Sequence, residues 1–103
     1  MEEIIGKVLL LNKETAPYSY HSDEDYMSVF IRSTEAYLNA VLQAKGYISY
    51  ETIVDSLGIK VTPDELEKTR ILRDTGKGFC LKMSKLESDD YEIKICERNE
   101  ANG

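Results

Sequence analysis

Phe79-Cys80-Leu81-Lys82-Met83 and, after a polar interval, Tyr91-Glu92-Ile93-Lys94-Ile95-Cys96 alternate apolar and polar side chains residue by residue. A period of two is that of a strand with one buried face, and the interval between the runs is short, so the pair reads as an antiparallel hairpin. The apolar residues share one face only if facing positions sum to an even number. A sum of 174 sets Lys82 opposite Glu92, whereas 176 sets it opposite Lys94. Cross-strand charge favours the first by a few tenths to about 1 kcal/mol. In that register Cys80 faces Lys94, Cys96 lies one diagonal step away, and no disulfide between them is expected.

Upstream of the hairpin the period changes. Met27, Phe30, Ile31, Leu38, Val41 and Leu42 recur at three- and four-residue steps, while Arg32, Glu35, Asn39 and Gln43 fall elsewhere. This predicts a helix over 23–45, about 34 Å long at the usual rise, with Ser22 as N-cap, Asp23, Glu24 and Asp25 at the positive end of its dipole and Gly46 as its stop. A short helix over 50–57 follows, capped by Ser49, burying Ile53, Val54 and Leu57 and ending at Gly58. Thr62-Pro63-Asp64-Glu65 signals a third helix start, running to about Leu72. Residues 74–78, with two glycines, read as a turn, and residues 4–11 as an N-terminal strand followed by a loop around Pro17. The fold class expected is α+β: one N-terminal strand, one long helix, two short helices and a C-terminal antiparallel hairpin, in an order like that of a winged helix. A single domain over 1–97 and a flexible tail over 98–103 complete this reading.

The chain has 103 residues, about one domain on the usual prior. Its apolar content of 42% with only two prolines is that of a globular chain. The longest unbroken apolar run, residues 8–11, is far short of the roughly 20 residues of a membrane helix, and Met1-Glu2-Glu3 lacks the basic start of a secretory signal, so a cytoplasmic location is expected. A net charge of −6 opposes general adhesion to nucleic acid or anionic membranes. The charge is uneven: residues 1–59 carry 9 acids and 4 bases, residues 60–85 carry 4 acids and 7 bases, and residues 86–103 carry 6 acids and 2 bases. Lys68, Arg70, Arg73, Lys77, Lys82 and Lys85 are therefore candidate anion or nucleic-acid contacts, against the plainer reading of a solvated charged face.

Catalytic signatures are sparse. His21 is the one histidine, stands at the entry to the long helix and has no local partner to make it a base. Two cysteines and one distant histidine fall short of a zinc set, and no metal or cofactor is expected. Asp74-Thr75-Gly76 matches the aspartic-protease triplet, but it follows a predicted helix and is flanked by Arg73 and Lys77, where that site requires apolar and small neighbours. Gly76-Lys77-Gly78 lacks the earlier glycine, where Ile71 sits, and the hydroxyl residue of a phosphate loop. Seven tyrosines and no tryptophan are the unusual note. Tyr18, Tyr20, Tyr26, Tyr47 and Tyr50, near the ends of the long helix, are candidate protein-interaction residues, because tyrosine is enriched in binding surfaces, against the plainer reading of core-edge aromatics with wet hydroxyls. A helix-turn-helix reading of 50–72 places Gly58 in the turn. It also puts Asp64 and Glu67 where aliphatic residues should face inward, and acids at the start of a recognition helix.

The stretch Tyr37-Leu38-Asn39-Ala40-Val41-Leu42-Gln43-Ala44-Lys45-Gly46-Tyr47-Ile48, followed by Val54-Asp55-Ser56-Leu57-Gly58-Ile59, resembles a segment of short uncharacterised proteins of phages and integrative elements of Gram-positive bacteria. The likeness covers about half the chain and implies a mobile-element setting but no activity or site. With it, the expected function is a non-enzymatic accessory protein acting by protein–protein binding, such as inhibition of a host defence component. The alternative is a winged-helix-like nucleic-acid-binding regulator.

Overall fold

In the computed structural model, residues 4–61, 71–73 and 76–97 are described. The chain is a mixed α+β fold. Its elements are β1 (Val8–Leu11), α1 (Glu24–Lys45), β2 (Tyr47–Ser49), α2 (Tyr50–Leu57), β3 (Ile71–Arg73), β4 (Phe79–Lys85) and β5 (Tyr91–Glu97). Strands β1, β5 and β4 form an antiparallel sheet in that order, and β2 and β3 form a separate antiparallel pair.

The alternation of the hairpin is realised: Phe79, Leu81, Tyr91, Ile93 and Ile95 are buried. Leu9 and Leu11 of β1 join them on the inner face. Against this face packs α1, whose buried residues are Met27, Ile31, Thr34, Leu38 and Leu42, with Phe30 and Val41 partly buried beside them. The second helix closes the core with Tyr50, Ile53, Val54 and Leu57. It begins and ends as its caps dictate: Ser49 accepts from the Thr52 N–H, and Gly58 stops it at φ +73°. A Cβ at Gly58 would also stand 2.7 Å from Ser19 Oγ, which donates to the Leu57 carbonyl at 2.7 Å, so both backbone and packing require glycine there.

Four expectations are corrected. First, the hairpin sums to 176: Lys82 faces Lys94, Ser84 faces Glu92, and Cys80 faces Cys96. The turn decides this. Leu86 N–H donates to the Asp90 carbonyl and Asp89 N–H to the Leu86 carbonyl, which leaves a three-residue loop with Asp89 at φ +70°. Aspartate tolerates that left-handed conformation, whereas the other register would place Ser88 there and lift Leu86 into the loop. Lys82 and Lys94 are both exposed, so water screens their repulsion.

Second, the third helix does not reach Ile71 and Leu72, which are strand residues pairing with Ser49 and Ile48. Residues 62–70, where that helix was expected to begin, lie outside the described residues, and the described residues contain two helices. A ladder partner supplied from far along the chain overrides local helix signals here.

Third, the first strand is shorter than expected. Ile4 to Lys7 make a turn closed by Lys7 N–H donating to the Ile4 carbonyl, with Gly6 at φ +94°. Gly6 N–H donates to the Ile95 carbonyl and Ile95 N–H to the Lys7 carbonyl, so two residues oppose one in a bulge before β1 begins. Fourth, the N-cap of α1 is Asp23 rather than Ser22, its carboxylate accepting from the Asp25 N–H at 2.9 Å.

No helix among the described residues is long and apolar enough to cross a membrane. The expected tail over 98–103 lies outside the described residues.

Candidate functional site

At one end of the three-stranded sheet, the loop before α1, the first turn of α1 and the β4–β5 turn converge. The loop is built by its own side chains. Asn12 Oδ1 accepts from the N–H groups of Glu14 and Thr15, and Thr15 Oγ1 donates to the Leu10 carbonyl, which occupies part of the open edge of β1. Ala16 is then buried, and its carbonyl accepts from Tyr20 N–H at 2.9 Å.

Tyr91 joins the parts. Its ring is fully buried, and its hydroxyl donates to the carbonyls of His21, at 3.0 Å, and Ser22, at 3.3 Å. This holds the entry of α1 on the sheet. Tyr20 packs on it with ring centroids 5.8 Å apart and donates its own hydroxyl to the Asp89 carbonyl at 3.1 Å. Burial pushes the Tyr91 hydroxyl pKa up, and the neighbouring Tyr20, Glu24, Asp23 and Asp89 push it further. Those carboxylates therefore act on one point from two segments far apart in sequence.

The result is an acidic end. Asp23, Glu24, Asp25, Glu87 and Asp89 are exposed and Asp90 is half-buried. Among the described residues a cation answers them in part: Lys85 Nζ lies 3.8 Å from Asp89 Oδ1. Tyr26, next to Asp25 on α1, is 54% exposed, and Tyr18, in the loop before α1, is 95% exposed. The His21 imidazole stacks on Tyr26 at 4.4 Å, and its Nδ1 accepts from the Asp23 N–H at 3.0 Å, so it acts as a helix-entry clamp. From Glu24 a groove of about 230 Å³ runs between α1 and β4, past Ser28, Arg32 and Glu35 and over Leu81 and Met83.

The five candidate tyrosines thus divide. Tyr20 and Tyr26 belong to the acidic end, and Tyr18 is exposed in the loop before α1. Tyr47 is half-exposed on β2, opposite Arg73. Tyr50 is a core residue rather than a surface contact, 4% exposed, with the Lys7 ammonium 5.1 Å from its ring centroid. The basic candidates are dispersed. Lys68 and Arg70 lie outside the described residues; Arg73 is exposed at the end of β3 and Lys77 in the bend before β4. Lys82 and Lys85 differ by an odd number along one strand, so they point to opposite faces of the sheet. Asp74 and Thr75 of the protease-like triplet lie outside the described residues.

Asn39 was missed by sequence reasoning, which placed it off the packed face of α1. Its amide donates to the Phe79 carbonyl at 2.9 Å and accepts from the Phe79 N–H at 3.0 Å, imitating a strand partner at the edge of β4. A lone polar residue beside an apolar stripe carries no signal of such a distant partner. No group of three His, Cys, Asp or Glu side chains among the described residues is placed to hold a metal ion. Comparison with protein-family models, with curated proteins and with solved structures finds no match.

Proposed function

We propose that this chain is a non-enzymatic binding protein whose acidic, tyrosine-bearing end takes a basic surface of a partner protein. The observation that carries this reading is the convergence of Asp23 and Glu24 with Asp89 around Tyr91, Asp25, Glu87 and Asp90 being their near neighbours in sequence. Same-sign carboxylates gathered at one end focus a field that raises the encounter rate with a cationic surface. Tyr18 and Tyr26 add large, amphipathic contact area at low entropic cost. The mobile-element setting that the resemblance implies makes a nucleic-acid-handling host defence protein, whose phosphate-binding face is basic, the first class of partner to test.

The test is a pulldown from nuclease-treated host lysate with three baits: the native protein, the triple variant Asp23→Lys, Asp25→Lys, Glu87→Lys, and a control variant Glu51→Lys on the exposed side of α2. A partner held by the native and control baits, lost by the triple variant and released by moderate salt supports the reading. A partner held equally by all three baits refutes it.

A second reading, a winged-helix-like nucleic-acid-binding regulator, draws on the β2–β3 ladder, in which a short strand between two helices pairs with the strand after residues 62–70. Arg73, Lys77, Lys82 and Lys85, with Lys68 and Arg70, would be its phosphate contacts.

A further inference from the structure

We propose that Cys80 and Cys96 form a reversible dithiol–disulfide couple across β4 and β5, with a low-molecular-weight disulfide as the oxidant. The two residues are direct cross-strand partners. The hydrogen bond from Leu86 to Asp90 marks that pair as bonded, and bonded pairs recur every second residue, through Ser84 and Glu92 and through Lys82 and Lys94, to Cys80 and Cys96. Two other contacts fix the same alternation: Phe79 turns its backbone groups outward to Asn39, and Ile95 turns its own to Gly6 and Lys7. A bonded antiparallel pair has Cα atoms about 5.5 Å apart, within the roughly 4.4–6.8 Å that a disulfide spans.

Both side chains leave the same, outer face of the sheet, and both are half-buried. Both are free in this structure, and the chain has two cysteines in all, so each has one intramolecular choice. Burial pushes the Cys80 thiol above its ordinary pKa, and Cys96 and Glu35 add to the shift, so exchange through Cys80 speeds up as pH rises.

The step balances. One protein thiolate attacks the small disulfide RSSR, forms a mixed disulfide and expels RS⁻. The second thiol loses its proton and attacks the protein sulfur of that mixed disulfide, expelling the second RS⁻. The protein gives up two hydrogens and two electrons are taken by RSSR, which leaves as two RSH. The product staples the open end of the hairpin around residues 81–95, where β4 begins at the Asn39 clamp.

The experiment equilibrates the protein with glutathione and glutathione disulfide, folded and in urea, and reads mass and thiol alkylation. Expected for the folded chain are a mass loss of two hydrogens, both thiols protected, and a disulfide equilibrium constant at least tenfold above that of the urea-unfolded chain. Linkage then requires the oxidised protein to be more stable by the same tenfold, about 1.4 kcal/mol, which raises its Tm by several degrees. Cys80→Ser and Cys96→Ser should each stop at the glutathione adduct. Equal constants in folded and unfolded chains, or folded protein that accumulates only adducts or intermolecular dimers, would overturn the proposal.

Discussion

Tyr91 shows how one hydroxyl can hold two remote segments. Its donation to the carbonyls of His21 and Ser22 joins the end of the hairpin turn to the entry of α1, and Tyr20 backs its ring. Tyr91→Phe keeps the ring and removes the donor, so the midpoint of urea unfolding should fall by the equivalent of about 0.5–1.5 kcal/mol. A pH dependence follows. The folded pKa of Tyr91 is raised above its unfolded value of 10, so the folded state favours the neutral form. Its contribution is fully present below pH 10 and is lost as pH rises through the folded pKa. Stability measured through the alkaline range should therefore decline less steeply in Tyr91→Phe than in the native protein. Identical alkaline slopes would mean that the hydroxyl ionises as freely in the fold as out of it.

Among elements, α1 is the one on which the rest is assembled, and it meets the sheet in two chemically different ways. Its apolar stripe makes the general contact with β4, and Leu38 of that stripe and Ile53 of α2 are both fully buried. Leu38→Ala and Ile53→Ala should each cost about 2–5 kcal/mol in denaturant titrations, from lost burial plus the cavity left behind. Unchanged midpoints in both would refute the packing. Asn39 makes the specific contact, satisfying both backbone groups of Phe79 at the edge of β4. Asn39→Ala leaves them without that partner and should cost about 1–3 kcal/mol. Hydrogen exchange should speed up at the Phe79 amide in that variant and remain slow at the Ile95 amide, which bonds Lys7 of the neighbouring segment.

At the scale of the whole molecule, charge separates the two functional readings. The net charge of −6 is concentrated in the segments before and after the basic middle, and the acidic end gathers contributions from both. Any phosphate contact made by the basic residues releases counterions, so affinity for duplex DNA would fall with salt at a log–log slope of about −0.9 per contact. The protein-binding reading expects no duplex affinity tighter than about micromolar at physiological salt, because the long-range field repels phosphate. Gel-shift and anisotropy titrations over a range of salt measure this. A salt-sensitive, sequence-selective shift at nanomolar protein, abolished by Arg73→Glu with Lys77→Glu, would favour the winged-helix-like regulator instead.

Local sequence determined α1, α2 and the buried face of the hairpin through periodicity, because side-chain direction repeats every 3.6 residues in a helix and every 2 in a strand, and both ends of α2 through the capping residues Ser49 and Gly58. That information lies within a few residues of each position. The tertiary structure decided what local chemistry leaves degenerate. Two even registers bury the same face, and the choice between them fell to a single aspartate able to adopt positive φ at Asp89, which set Cys80 opposite Cys96. Ile71 and Leu72 carry no strong strand signal of their own and became a strand through Ile48 and Ser49, more than 20 residues earlier in the chain. The acidic end was legible only as two separate charge runs. Tyr91 and Tyr20 bring them together through hydrogen bonds to residues about 70 positions away, and pairings at such separation leave no mark in the sequence around either partner.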